Sequence, residues 1–422
     1  GERHRERAPQ QRTGRSEKRE AVEITERIPQ VDEPVDGGAI SSMKWNVADS
    51  ELPMWVADMD FQTAPCITEA LKKRVANGTF GYTDIPDEWS TAIANWWKTR
   101  YGMDVDPTHI TFTTGVIPAI SSLVRSLTNV AEKVVIQPPV YNIFTNSIVN
   151  NGRRVLNNPL IYSNGEYSID FDDLENKLSD PLARLMIVCN PHNPSGNVWS
   201  RDDLARVGEL CAKYDVTVIS DEIHCDVIRP GLTHTPFAAA SETNRRISVT
   251  CSSPSKAFNV AGLQSAYFFC DDAGLRARAV RGVNTDEVAE PNDFAVFSTI
   301  AAYEHSADWL DQLCQVAQRN KDYANRVIGE RCAERLHMVP SDSTYLAWID
   351  CSGLLDRVGD ATAERFCDYL REHTGLILSY GGIYGENGVR FLRMNLGTRA
   401  DLVIDGLNRL ATGANDYVRN DR

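Results

Sequence analysis

RLMIVCNPHNPSGNVWSRDDLARVGELCAKYDVTVISDEIH, residues 184–224, carries the pattern that decides the fold. Two apolar runs, RLMIVCN and VTVISDEI, flank a stretch, SRDDLARVGELCAKYD, with helical periodicity. A run that is apolar at successive positions, rather than alternate ones, is buried on both faces. Two such strands joined through a helix call for a parallel pair. The same alternation extends outward. HITFTT (109–114) and EKVVIQPP (132–139) precede it, and RISVTCSS (246–253) and SAYFFC (265–270) follow it. The expectation is an α/β fold with a mostly parallel sheet covered by helices on both faces.

Further helices are predicted at CITEALKKRVANG (66–78), closed by Asn77-Gly78, and at DEWSTAIANWWKTRYG (87–102), closed by Gly102. After about residue 310 the pattern changes to longer helices, WLDQLCQVAQRNKDYANRVIGERC and ATAERFCDYLREHTG, with strands YLAWIDC and VRFLRMNL. That predicts a second, smaller α+β domain, formed by 31–75 and 311–422 beside a large domain at 76–310. Residues 1–30 stand apart. Their first twenty carry seven Lys/Arg against four Glu and almost nothing apolar. Such a segment buries too little to offset its ordering entropy and is expected to be a disordered or foreign extension.

The 422 residues carry a formal net charge of −14. That sign argues against nucleic acid or an anionic membrane as the main partner. No apolar run approaches the roughly 20 residues that span a bilayer, and the N-terminus has no hydrophobic segment of the secretory kind. The ten cysteines are scattered without a CxxC pair, which suits reduced core thiols and a cytoplasmic location.

Ligands in open α/β sheets bind beyond the carboxyl ends of the strands. Here those ends read TTGVIP, NPHNPSG, SDEIH and SSPSKAFN. At TTGVIP, Gly115 precedes a helix start, so the amides of Val116 and Ile117 either meet an anion or simply make a turn. Asp221, at the end of an apolar strand, is either a cap or ion-pair partner, or the acid that keeps a ring nitrogen protonated. Lys256 follows a buried strand. A lysine desolvated there becomes a nucleophile toward carbonyls, although most lysines are merely solvated. Ser253 offers a hydroxyl to a phosphate, and Asn193 an amide to a phenolate oxygen.

Taken in order, Asn-Pro-x-Asn-Pro-Ser-Gly, then Asp221, then Ser-x-Ser-Lys, these motifs resemble the fold-type I enzymes dependent on pyridoxal 5′-phosphate (PLP) of the aminotransferase class I/II superfamily. The resemblance runs from about residue 31 to 412. SSMKWN, LPMWVADMDF, FGYTDIPDEW, PPVYNIF, SDEIHCD and SPSKAFNVAGLQSA are similar to the MalY/PatB type, the cystathionine β-lyase-like C–S lyases. The resemblance implies a seven-stranded large-domain sheet and a homodimer with shared active sites. It implies that Lys256 holds PLP as a Schiff base and acts as base at Cα. Asp221 would bind the ring nitrogen, Asn193 the ring 3′-oxygen, and Tyr141 the ring face. His224 stands beside the cofactor, where many aminotransferases carry Tyr. Val116, Ile117 and Ser253 would hold the phosphate, with Tyr82 from the neighbouring subunit. Arg393 would grip the substrate carboxylate, with Asn193 and Tyr384 on the substrate side.

Several positions depart from the family pattern. Gln264 stands where an Arg is common. VDGGAIS, with Gly37 and Gly38, replaces a segment that usually carries Arg. Tyr380 stands for Pro, and Tyr384 for Phe. These changes bear on specificity. The expected reaction is β-elimination from an S-substituted L-cysteine such as cystathionine, giving a thiol, pyruvate and ammonia. The alternatives are transamination and, in another class, a PLP-binding regulatory protein with little turnover.

Overall fold

The computed structural model describes residue 31 and residues 41–420, so the 1–30 extension and the Gly37-Gly38 departure lie outside the described residues. Seven strands form the large sheet: β1 (Ile110–Thr113), β2 (Lys133–Ile136), β3 (Arg154–Asn157), β4 (Ala183–Cys189), β5 (Thr217–Asp221), β6 (Ser248–Ser252) and β7 (Ala266–Phe269). Their spatial order is β1-β7-β6-β5-β4-β2-β3. Only β7 runs against its neighbours. The seven strands and their mostly parallel order agree with what the resemblance implied.

The sequence singled out six of these strands. It missed β3 because Arg154–Asn157 has no buried apolar run: both ends are exposed, as an edge strand permits. The reversed β7 has a local cause. The link from β6 to β7 holds only turns and a short 3₁₀ segment (Ala261–Leu263), with no crossover helix to bring the chain back parallel.

Helices α1 (Pro65–Asn77), α2 (Asp87–Tyr101), α3 (Val116–Leu127) and α4 (Arg201–Lys213) begin and end where local chemistry dictates. The Ser200 hydroxyl accepts from the Asp203 amide, and Asp202 and Asp203 sit in the first turn of α4, where the helix dipole favours them. Gly78 and Gly102 close α1 and α2 at φ +75° and +64°. Helix α3 is apolar along most of its length. It lays Ile120, Leu123 and Val124 on the sheet face formed by Ile187, Ile219, Val249 and Phe268. Helix α4 covers the opposite face through Leu204, Val207 and Cys211 against Met186, Val188 and Val218.

A second sheet is antiparallel, in the order β8 (His337–Met338), β9 (Leu346–Asp350), β11 (Phe391–Asn395), β10 (Ser379–Tyr380). Its core takes Leu354, Phe366, Leu370, Leu392, Val403, Leu407 and Leu410, together with Leu52 and Met54. Of the segment expected to belong wholly to this body, Met59, Phe61, Ala64 and Ile67 pack instead with Trp96, Trp97 and Phe258. Helix α1 leans on α5 (Asp293–His305) rather than on the small sheet. The long α6 (Ala307–Arg331) passes between the cores. Trp309 through Ala317 pack with the first, and Tyr323 through Ile328 with the second.

Phe258, two residues after Lys256, is fully buried. It stacks on Trp309 at 5.7 Å between centroids and lies tilted against Trp96 at 6.1 Å. Replacing Phe258 with Ala removes this contact and leaves a cavity. The expected cost is about 3–5 kcal/mol, read as a lower urea midpoint; an unchanged midpoint would contradict the packing.

Candidate active site

The polar ends of β4, β5 and β6 converge on one edge of the sheet. Asp221 ends β5 and is flanked in register by Cys189 on β4 and Cys251 on β6. It is 5% exposed. Its Oδ1 accepts from the Ile223 amide at 3.1 Å. Burial lifts its carboxyl to about 7, the Ile223 bond opposes that rise, the Glu222 carboxylate adds to it, and the charge of Lys256 opposes it.

Lys256 lies in the turn after β6. Its Nζ donates to the carbonyl of Ala57 at 2.7 Å. Burial lowers this amine to about 8. Arg393 pushes the same way, while Asp58 and Asp221 oppose. An amine near 8 is partly unprotonated at neutral pH, which is what a nucleophile or a base requires.

Arg393, on β11, is 5% exposed and has no ion-pair partner among the described residues. One terminal nitrogen donates to Asn193 Oδ1 at 3.2 Å and the other to the carbonyl of Trp55 at 2.9 Å. Its Nε is buried without an acceptor. The guanidinium lies 5.1 Å from the ring centroid of Tyr384. That ring is itself set edge-on to Trp348.

Asn193 belongs to the 190–196 turn, and its carbonyl accepts from the Tyr141 amide at 3.1 Å. Tyr141 packs edge-on to Phe144 at 5.7 Å. Burial raises its hydroxyl, and the nearby Asp221 charge adds to that rise. His224 is buried with Nδ1 unpartnered. Burial, and then the charges of Lys256 and Arg393, hold it at about 3, so the ring is neutral.

Val116 and Ile117 open helix α3 directly after Gly115, as the sequence predicted. The Ser253 hydroxyl is engaged within its own turn: it donates to the Ser265 carbonyl and accepts from the Ser255 amide at 2.9 Å. Tyr82 is fully exposed in the loop between α1 and α2, so the structure does not bring it to this chain's own cluster.

A strap, Trp55–Phe61, closes one side of the site; it lies within the motif LPMWVADMDF, to which the sequence reading gave no role at the site. Asn395 Nδ2 donates to the carbonyls of Val56 and of Asp58, the latter at 2.7 Å. Tyr345 shares the Ala57 carbonyl with Lys256 at 3.1 Å. Asn259 Nδ2 holds the carbonyls of Met59 and Phe61 at 2.8 and 2.9 Å. Lys44, almost wholly buried, sits 2.8 Å from both Asp58 and Asp60. Backbone acceptors leave no mark in a sequence. The one available signal was a pair of acids, Asp58 and Asp60, set among Met54, Trp55, Val56, Met59 and Phe61.

The residues present fit PLP. A buried carboxyl lifted to about 7 lacks a cation that a protonated ring nitrogen would supply. Among the described residues the buried Arg393 has no acidic partner, and His224 Nδ1 has no hydrogen-bond partner. Comparison with known proteins agrees. The family pattern of aminotransferase class I and II matches residues 52–405. Cystathionine β-lyase PatB of Bacillus subtilis (strain 168) is 43% identical over 376 residues, covering 87% of this chain and 95% of PatB. Protein MalY of Escherichia coli (strain K12) is 35% identical, covering 82% and 87%. The PLP-bound C–S lyase of Staphylococcus hominis, complexed with L-cycloserine, superposes with a TM-score of 0.85 at 30% identity, over 91% of this chain and 98% of that one. The chain belongs to the aminotransferase class I and II family.

Proposed function

We propose that this protein is a PLP-dependent C–S β-lyase that cleaves cystathionine and related S-substituted L-cysteines to a thiol, pyruvate and ammonia. The observation that carries the amino-acid substrate is Arg393, a buried guanidinium without an acidic partner among the described residues, its charge acting on the amine of Lys256. An α-carboxylate is the anion that fits it. The choice of elimination over transamination is supported by the extent of the similarity to PatB.

When bound, PLP supplies an electron sink that stabilises negative charge at the substrate Cα. Lys256 would hold the cofactor through Nζ. Its free amine would take the Cα proton, for which an amine near 8 is suited. Asp221 would keep the ring nitrogen protonated. Tyr141 would cover the ring face, and Asn193 would meet the ring oxygen with neutral His224 alongside. The amides of Val116 and Ile117, with Ser253, would take the phosphate at the positive end of α3. Arg393, backed by Tyr384, fixes the carboxylate so that the Cα proton faces Lys256. The pair from the Cα–H bond would form a second bond between Cα and Cβ as the Cβ–S bond breaks, the sulfur leaving with its own pair; Lys256 would return its proton to the sulfur, or Tyr141 would donate one. Addition of water gives pyruvate and ammonia.

The exposed Tyr82 supports a homodimer in which this hydroxyl reaches the phosphate of the other subunit. No helix among the described residues is long and apolar enough to cross a membrane. Together with thiols that are free among the described residues, this supports a cytoplasmic location.

Purified protein given cystathionine should release pyruvate without any added keto acid, and Lys256→Ala should abolish that release. Strict dependence on a keto acid acceptor would instead establish transamination. Arg393→Lys keeps the charge but loses the fork, and should lower kcat/KM about 100-fold, on the order of 2–3 kcal/mol, with PLP retention unchanged. Asp221 gives a third test, in cofactor-free protein. Between the ordinary carboxylate value of 3.8 and about 7 the folded chain holds a proton that the unfolded chain has lost. The stability it contributes is therefore present at low pH and disappears as pH rises through that window. Urea midpoints of wild type minus Asp221→Asn should fall from pH 4 to 7; a flat difference would contradict the burial of this carboxyl.

A further inference from the structure

A second buried lysine lies outside the site just described. Lys321, on α6, is 3% exposed and makes no ion pair among the described residues. Its Nζ donates to the carbonyls of Ser341 and Ser343 at 3.2 and 3.1 Å and to Ser341 Oγ at 3.4 Å. All three acceptors are neutral and belong to one loop, residues 341–344. An ammonium costs free energy to desolvate, and uncharged acceptors compensate it only in part. A methionine would fill the same space without that cost.

The loop it holds is a junction of cofactor-facing segments. Ser343 Oγ donates to the Gly196 carbonyl at 2.9 Å, and the Asp342 amide donates to the same oxygen at 3.2 Å. Gly196 closes the turn that carries Asn193. Its φ is +76°, and a Cβ there would come within 2.0 Å of Ser341 Oγ, so the loop rests directly on this glycine. On another side, the Thr344 amide donates to the Val227 carbonyl and the Arg229 amide to the Asp342 carbonyl, both at 2.8 Å. Arg229 also pairs with the Asp342 carboxylate at 2.7 Å. These bonds tie the loop to the segment that leaves Asp221 and His224. The next residue, Tyr345, donates to the Ala57 carbonyl that also receives Lys256.

We propose that Lys321 is a positioning residue for the PLP site, acting through the 341–344 loop on the turn that carries Asn193. By drawing the carbonyls of Ser341 and Ser343 inward, its ammonium fixes the loop that Gly196 rests on. Asn193 and its contact with Arg393 are thereby held in place. This rests on the reading of the site as one for PLP.

The test uses wild type, Lys321→Met, Ser343→Ala and the double variant, each stripped and titrated with PLP. Visible circular dichroism of the bound cofactor and the melting temperature of the stripped protein are recorded alongside. Each single change should weaken PLP binding about tenfold, the effect of one lost buried hydrogen bond to a charged or loop-fixing group, and should alter the visible dichroism. The double variant should be no weaker than the weaker single, because both act through Gly196. Unchanged affinity and dichroism, with only a lower melting temperature, would reduce Lys321 to a structural role. Additive losses would also overturn the proposal. Should Lys321→Met fail to fold, Ser343→Ala decides alone, and unaltered PLP affinity there sinks the idea. A wild-type protein that takes up no PLP would instead remove the functional reading on which this one stands.

Discussion

Desolvation of three charged side chains, Asp221, Lys256 and Arg393, is the constraint around which the rest of the molecule is organised. Asp221 ends β5, Lys256 lies in the turn after β6 and Arg393 lies within β11; the first and last are 5% exposed and Lys256 is part-buried. For Asp221 and Lys256 the ordinary ionisation is disturbed for that reason: the carboxyl rises toward neutrality and the amine falls toward it. Such groups are unstable neighbours unless fixed dipoles surround them. The protein supplies those dipoles largely from its backbone. The carbonyls of Trp55 and Ala57 face the two cations, and the amide of Ile223 faces the acid. Side chains from both sheets then hold the backbone still.

Much of the large sheet was legible because buried parallel strands must be apolar at successive positions. That property marked β2, β4, β5 and β7; β1 and β6 were marked by alternating apolar residues, Ile110 and Phe112, and Val249 and Cys251; β3, at an edge, showed neither. The site residues were legible for a related reason. A charged or polar residue directly after such a run, as at Asp221, Asn193 and Lys256, stands out against its neighbours. Arg393 did not stand out locally; only the family resemblance singled it out among the arginines of the small body. LPMWVADMDF stood out as a motif, but the roles of the strap and of the 341–344 loop were invisible, because their contributions are carbonyls and amides contributed by residues of any identity. The orientation of β7 was equally hidden, since an apolar run carries no information about direction.

Composition and packing draw the seam between the two cores at different places. Composition placed the first passage near residue 75. Packing places it within the strap, since Met54 belongs to one core and Met59 to the other. The hydrophobic pattern of α1 is the same whichever body it leans on, so the sequence held no cue. The second passage falls inside α6, between Ala317 and Tyr323, where an uninterrupted helix gives no sign of changing partners.

These two passages have a geometric corollary. Two covalent links between a pair of solid bodies define a line, and swinging about that line is the movement that stretches neither link. Here one end of the line lies at the carbonyl that receives Lys256, and the other beside Lys321. Both site cations lie near that first end, since Arg393 donates to the Trp55 carbonyl and Lys256 to the Ala57 carbonyl, two residues apart. Substrate grip and the reactive amine are therefore anchored to one short segment.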